Sequence, residues 1–170
     1  METETILGIS YSSRMIGLAI ISSNHLVDYS VKLYKERWTP LKCDKIKEAL
    51  QSCIKDYNIE EIVLSIPPHY YQTEAYEEIT DCIHDMAQLN NLPITHQSYK
   101  LLLTLCTQKE KKNKNGFMRS LVCLYPELNQ YYIKERRNKK KYYVKLFEAI
   151  GVAVLQSQLN KKKHKLKQGL

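Results

Sequence analysis

Apolar residues enter this chain first in short runs and later at helical spacing, and that change of period lays out its elements. Ile6, Leu7 and Ile9 form a compact run, residues 10–14 are small and polar, and residues 15–21 return apolar. The pattern predicts a buried strand, a tight turn and a second strand running back beside the first. Gly8 removes a side chain where another group could approach the backbone closely. Gly17 and Ala19 alternate with larger residues, which predicts tight packing on one face of the second strand. Residues 25–34 alternate polar and apolar and predict a third strand, antiparallel to the second and joined to it through 22–24.

Helical spacing begins at Leu41. Thr39 suits an N-cap and Pro40 the first helical position, with Ile46, Leu50, Cys53, Ile54 and Tyr57 as the inward stripe of a helix over 41–57. The run 62–66, stopped by Pro67 and Pro68, predicts a buried parallel strand entered by a crossover helix. A helix over 74–90 follows, then a last strand over 93–98, short helices at 100–107 and 117–125, a basic stretch at 131–141, and a final helix over 142–159. The order is three strands, helix, strand, helix, strand, helices. It predicts an α/β fold with a mixed five-stranded sheet, three antiparallel strands and then parallel ones, and helices on both faces. One domain over 1–159 accounts for the pattern, with 160–170 as a basic disordered tail.

Composition narrows the classes. A chain of 170 residues suffices for one real core. No apolar run approaches bilayer length, so no membrane partner is expected. The polar opening residues resemble no secretory leader, which makes the cytoplasm the default location. Five cysteines, Cys43, Cys53, Cys82, Cys106 and Cys123, lack metal-site spacing and read as buried free thiols. There is no glycine-rich phosphate loop and no zinc-protease or serine-hydrolase motif, and His69, His84 and His96 stand alone. The net charge of +8 favours polyanion partners. It is concentrated in three stretches, 109–114, 134–141 and 161–167.

The opening run Ile6-Leu7-Gly8-Ile9-Ser10, with Gly17 and Ala19 in the return strand, resembles the first hairpin of the RNase H-like superfamily, especially the RuvC-type Holliday junction resolvases and their YqgF-type relatives. The stretch from Glu148 to Ala153 is similar to the last helix of those resolvases. The resemblance implies a nuclease site of four carboxylates holding two divalent metals. Carried over position by position, those acids fall on Ser10, near Ser65, on Lys145 and on Glu148. Glu148 is the only acid kept, and one position has reversed its charge. A neutral hydroxyl is a poor ligand for a hard cation, and an ammonium repels one. Lys145 and Glu148, three apart on a helix, are placed to pair with each other.

The expectation is therefore a catalytically degenerate RuvC-like protein, a pseudoenzyme that binds nucleic acid, and DNA before RNA, without cutting it. It has no resident metal. Branched DNA is the substrate form the resemblance suggests, and a homodimer the assembly. Two alternatives stay open. In one, carboxylates from elsewhere, such as Glu74, Glu77, Glu78 or Asp28, rebuild a site for magnesium or manganese and the protein is an active metal-dependent endodeoxyribonuclease. In the other, the fold serves as a protein-interaction module. The residues expected to touch nucleic acid are Arg14, Tyr70, Tyr71, Lys111, Lys112, Arg136, Arg137, Lys139, Lys140 and Lys141.

Overall fold

The computed structural model of the protein describes residues 4–68 and 72–169. A five-stranded sheet runs in the order β3-β2-β1-β4-β5. Strands β1 (Thr5–Tyr11), β2 (Met15–Ser22) and β3 (His25–Leu33) form an antiparallel meander. Ser23 and Asn24 both take positive φ, 51° and 68°, in the two-residue turn between β2 and β3, which matches the twist of the paired strands. Strands β4 (Glu61–Ile66) and β5 (Ile94–Ser98) add in parallel on the other side of β1.

Alternation along the strands decides what each face meets. Leu7, Ile9, Leu18, Ile20, Ile62 and Leu64 face α1 (Pro40–Tyr57) and α2 (Glu74–Leu89). Thr39 caps α1 through its hydroxyl and Pro40 opens it, as the sequence predicts. Ile6, Ala19, Ile21 and Val63 face the second layer, α4 (Lys114–Leu124) and α6 (Val144–Gln168). The same layer takes in the short helix α3 (Tyr99–Leu102), continued by a 3-10 turn over Leu103–Leu105, and α5 (Asn129–Arg137).

Helix α6 lies directly on strand backbone. A Cβ built on Gly8 would stand 2.1 Å from the Ala149 carbonyl oxygen, and one on Gly17 2.2 Å from that of Lys145. Any larger residue at either place would lift the helix from the sheet. The expected tight packing on one face of the hairpin is thus a backbone-to-backbone contact.

The outline expected from sequence holds, with three differences. The first part of the basic stretch, 131–137, is helical within a helix over Asn129–Arg137, because Leu128 and Glu135 are buried and Tyr131 and Tyr132 half-buried, which gives a polar segment an inner side. Of the five cysteines only Cys82 is buried; Cys43, Cys53 and Cys106 are half-buried and Cys123 is exposed. The chain does not become disordered at Asn160, because α6 continues to Gln168. Lysine, glutamine and leucine are good helix formers, and no glycine or proline interrupts them before Gly169. Asn160 itself is buried and tied by hydrogen bonds to Glu61 and Glu4. No helix among the described residues is long and apolar enough to cross a membrane.

Candidate functional site

The end of β1 and the first turns of α6 meet on one face of the sheet. Ser10 is the sixth residue of a strand whose other α6-facing positions are Ile6 and Gly8, and it is buried. The Gly17 contact brings the first turn of α6 down onto the hairpin. Lys145 and Glu148 then arrive one helical turn apart, above Ser10.

Ser10 Oγ donates a hydrogen bond to Glu148 Oε2 at 2.6 Å. Lys145 Nζ donates to the same oxygen at 2.9 Å. Glu148 is 7% exposed, so its charge is met by an ammonium and a hydroxyl rather than by solvent. Ser65 stands one residue beyond the Leu64 that pairs with Ile9. It therefore lies beside Ser10 on the neighbouring strand, and it is buried too. All four positions carried over by resemblance thus gather at one end of the sheet.

Two tyrosines feel this carboxylate. Burial, the neighbouring Tyr11 and then the Glu148 charge push the Tyr76 hydroxyl well above its ordinary range. Burial and the Glu148 charge do the same to Tyr99. Tyr76 stacks on Tyr11 with ring centroids 4.5 Å apart, and its hydroxyl is buried without a hydrogen-bond partner among the described residues. Both hydroxyls thus stay protonated at ordinary pH.

The residues present do not fit a pair of divalent cations. One carboxylate is available, and its Oε2 already accepts from a serine and a lysine. Hard divalent cations need several converging oxygens, preferably anionic. No group of three or more His, Cys, Asp or Glu side chains is placed to hold a metal ion among the described residues. Glu74 and Glu77 are exposed in the first turn of α2, where they complement the helix dipole. Asp28 accepts from Tyr57 Oη at 2.8 Å on the exposed strand β3.

The cations expected to meet nucleic acid are exposed, and several flank this end of the sheet. Arg14 lies in the β1–β2 turn, immediately beyond the strand that carries Ser10. That turn is fastened by a lysine the sequence pattern missed. Lys42, buried on α1, donates from Nζ to the carbonyls of Ser13 (2.7 Å), Tyr34 (3.1 Å) and Glu36 (3.0 Å). Burial draws its pKa below the ordinary lysine value. Arg136 and Arg137 occupy the last turn of α5, and Lys139, Lys140 and Lys141 the link from there into α6.

A second missed residue organises that link. Glu135 sits inside the basic stretch yet is 1% exposed. Its Oε2 accepts from the backbone N–H groups of Tyr142 (2.9 Å) and Tyr143 (2.7 Å), at the start of α6. A carboxylate there satisfies free helix-end donors and complements the dipole. Lys141 Nζ folds back onto the Glu135 carbonyl at 3.0 Å. Lys141 is therefore held near the same end of α6 that delivers Lys145 and Glu148, with Lys139 and Lys140 exposed in the link just before it.

Lys111 and Lys112 lie just ahead of α4. Lys111 lines a depression with Glu110 and Arg119, and those two also border a neighbouring depression that includes Tyr132 and Arg136. The 109–114 and 134–141 stretches thus border one continuous surface. Tyr70 and Tyr71 lie outside the described residues. The other tyrosine pairs are engaged within the protein: Tyr131 packs edge-on against Tyr29 and Tyr143, and Tyr143 against Tyr142. Lys134 and Arg136 lie over the rings of Tyr131 and Tyr132. His84 and His96, isolated in sequence, stack across α2 and β5 with their Nε2 atoms 3.2 Å apart.

No protein-family model matches the chain, and no curated protein is detectably similar in sequence. Solved structures match it over most of its length. RuvC of Thermus thermophilus superposes with a TM-score of 0.69 at 10% identity, over 93% of this chain and 96% of that one. The same protein in complex with a Holliday junction substrate gives 0.67 at 10% identity, over 94% and 96%. The Fowlpox virus resolvase, in complex with its substrate Holliday junction DNA, gives 0.53 at 13% identity, over 91% and 99%. With a mixed five-stranded sheet and near-complete mutual coverage, the chain has the RuvC-type RNase H-like fold.

Proposed function

We propose that this protein is a catalytically degenerate RuvC-like protein that binds nucleic acid, branched DNA in particular, without cutting it. The observation that carries the reading is the Lys145 Nζ–Glu148 Oε2 contact at 2.9 Å over Ser10. An ammonium stands where the resemblance puts a metal-binding acid, so local charge at the site is near balance. A scissile phosphate approaching this end of the sheet meets a lysine, which binds it, and no pair of cations to activate water or stabilise a leaving oxygen. The exposed cations of the β1–β2 turn and of the α5–α6 link supply backbone contacts that position a duplex without reading its sequence. Two fold neighbours, RuvC and the Fowlpox virus resolvase, are seen in complex with Holliday junction DNA, which supports branched DNA as the first substrate to try.

The test is a gel shift with four-way, duplex and single-stranded DNA over a salt series, with parallel incubations in magnesium and manganese. Binding that weakens steeply with salt and no cleavage product is the expected result. Cleavage that Glu148→Ala abolishes would overturn the inactive assignment. Absence of binding at low salt would favour an interaction module.

A further inference from the structure

The last turns of α6 form a basic arm. Residues 161–169 are all exposed, and within them Lys161, Lys162, Lys163, Lys165 and Lys167 project around the helix. Glu148 is the only acidic residue from 144 to the end of the chain. None of these lysines has an acidic partner three or four positions away on the helix. No ion pair within 4 Å reaches them among the described residues, where the four pairs involve Lys45, Lys47, Arg119 and Lys145. Lys161 and Lys165, and Lys163 and Lys167, are instead like-charged neighbours four apart, an arrangement that weakens a helix unless something compensates. The helix C-terminal dipole compensates in part. A polyanion laid along the arm would compensate in full.

The arm's direction is fixed by what precedes it. Glu61 Oε1 accepts from Thr95 Oγ1 (2.7 Å) and Gln156 Nε2 (2.9 Å), and Glu61 Oε2 accepts from Asn160 Nδ2 (2.9 Å). Gln97 Nε2 donates to Gln156 Oε1 at 2.9 Å. These contacts clamp the helix to the sheet through residue 160, at the end of β1 and β4 opposite Ser10. At 1.5 Å per residue, Lys161 lies about 24 Å along the axis from Lys145, and Lys167 about 33 Å. That span corresponds to roughly seven to ten base pairs of one strand.

We infer that the terminal turns of α6 are a second phosphate-backbone contact, engaging a nucleic-acid segment about 24–33 Å from the one at the Ser10–Glu148 end. The inference rests on the nucleic-acid reading and extends it. A duplex of six base pairs at the Ser10 end cannot reach the arm, whereas a duplex of 24 base pairs or a four-way junction can.

The experiment compares the full-length protein with a variant in which Lys161, Lys162, Lys163, Lys165 and Lys167 are all changed to Gln, a residue of similar helix propensity. Both are titrated with a six-base-pair hairpin and a 24-base-pair duplex over a salt series, with helix content checked by circular dichroism. The expected result on the long duplex is a salt slope shallower by at least about 2 and an affinity at least about tenfold lower. The short hairpin should show little change, and the corresponding Lys→Arg variant should behave as the parent. An unchanged long-duplex slope, or equal losses on both substrates, would overturn the arm. Failure of the parent to bind either DNA would instead sink the nucleic-acid reading on which the arm depends.

Discussion

Helix α6 carries a buried carboxylate contact at each end of the part docked on the sheet, and the two are built from different chemistry. At the Ser10 end the helix brings its own Glu148 and neutralises it with its own Lys145. At the far end the carboxylate belongs to the sheet, Glu61, and the helix meets it with the amides of Gln156 and Asn160, aided by Thr95. Neutral donors satisfy a carboxylate while leaving its charge in place. A lysine cancels that charge and brings a cation to the surface of the site, because the side chains of Lys145 and Glu148 keep 19% and 10% exposure. The far end is therefore a fastening. The near end is a fastening that also sets the sign of the local field.

The contrast breaks most visibly at Glu61. In Glu61→Ala, the Thr95 hydroxyl and two amide N–H groups lose their acceptor in a buried place, and the expected loss of stability is roughly 2–4 kcal/mol, measured by urea denaturation. A change under about 0.5 kcal/mol would mean that water replaces the carboxylate and that α6 is held elsewhere. Lys145→Met comes next. It leaves a nearly buried carboxylate with one hydroxyl donor, and partial solvent access brings the expected cost to about 1–3 kcal/mol. The Lys145→Met/Glu148→Leu double variant should recover most of that loss, since an apolar pair replaces the ion pair without orphaning a charge. If the double variant costs the sum of the singles, the two side chains are not coupled and the site is misread.

The smallest effect is at Glu4, whose carboxylate shares the Asn160 amide with Glu61. Burial and the nearby Glu61 charge raise its pKa above the ordinary carboxylate value. The folded protein therefore holds this proton to a higher pH than the unfolded chain does. The stability it contributes is present below the unfolded pKa and is lost as pH rises through the folded one. Glu4→Gln should accordingly raise the melting temperature slightly at pH 7 and give no gain below about pH 4. A gain of equal size at both pH values would assign the effect to packing rather than to charge.

Strand and helix periodicity, with Thr39, Pro40 and the Gly8–Gly17 spacing, made the sheet and its two layers legible before any coordinates. Those signals are local, and local signals are what a sequence displays. The far-end clamp was not legible, because Glu61, Thr95, Gln156 and Asn160 are polar residues from three elements with no spacing that announces a meeting. The lysine run after Asn160 looked like a solvated tail because it has no inward stripe; its helix extends by propensity from Asn160, whose anchor on Glu61 belongs to the sheet. Glu135 was hidden inside a basic stretch whose net charge dominated its reading. Ser10, Lys145 and Glu148 were found through resemblance alone, since nothing in their own spacing links residue 10 to residue 148.

The bare contact between α6 and the hairpin has one more consequence. The Lys145 and Ala149 carbonyls rest on strand backbone at Gly17 and Gly8, so a slip of the helix by one residue would drive a side chain into β1 or β2. Depth and rotation at positions 145 and 148 are thereby independent of which side chains stand there. The scaffold conserves a location and leaves its electrical sign to be chosen, and an acid written in at 10 or 145 would arrive where a hydroxyl and an ammonium now sit.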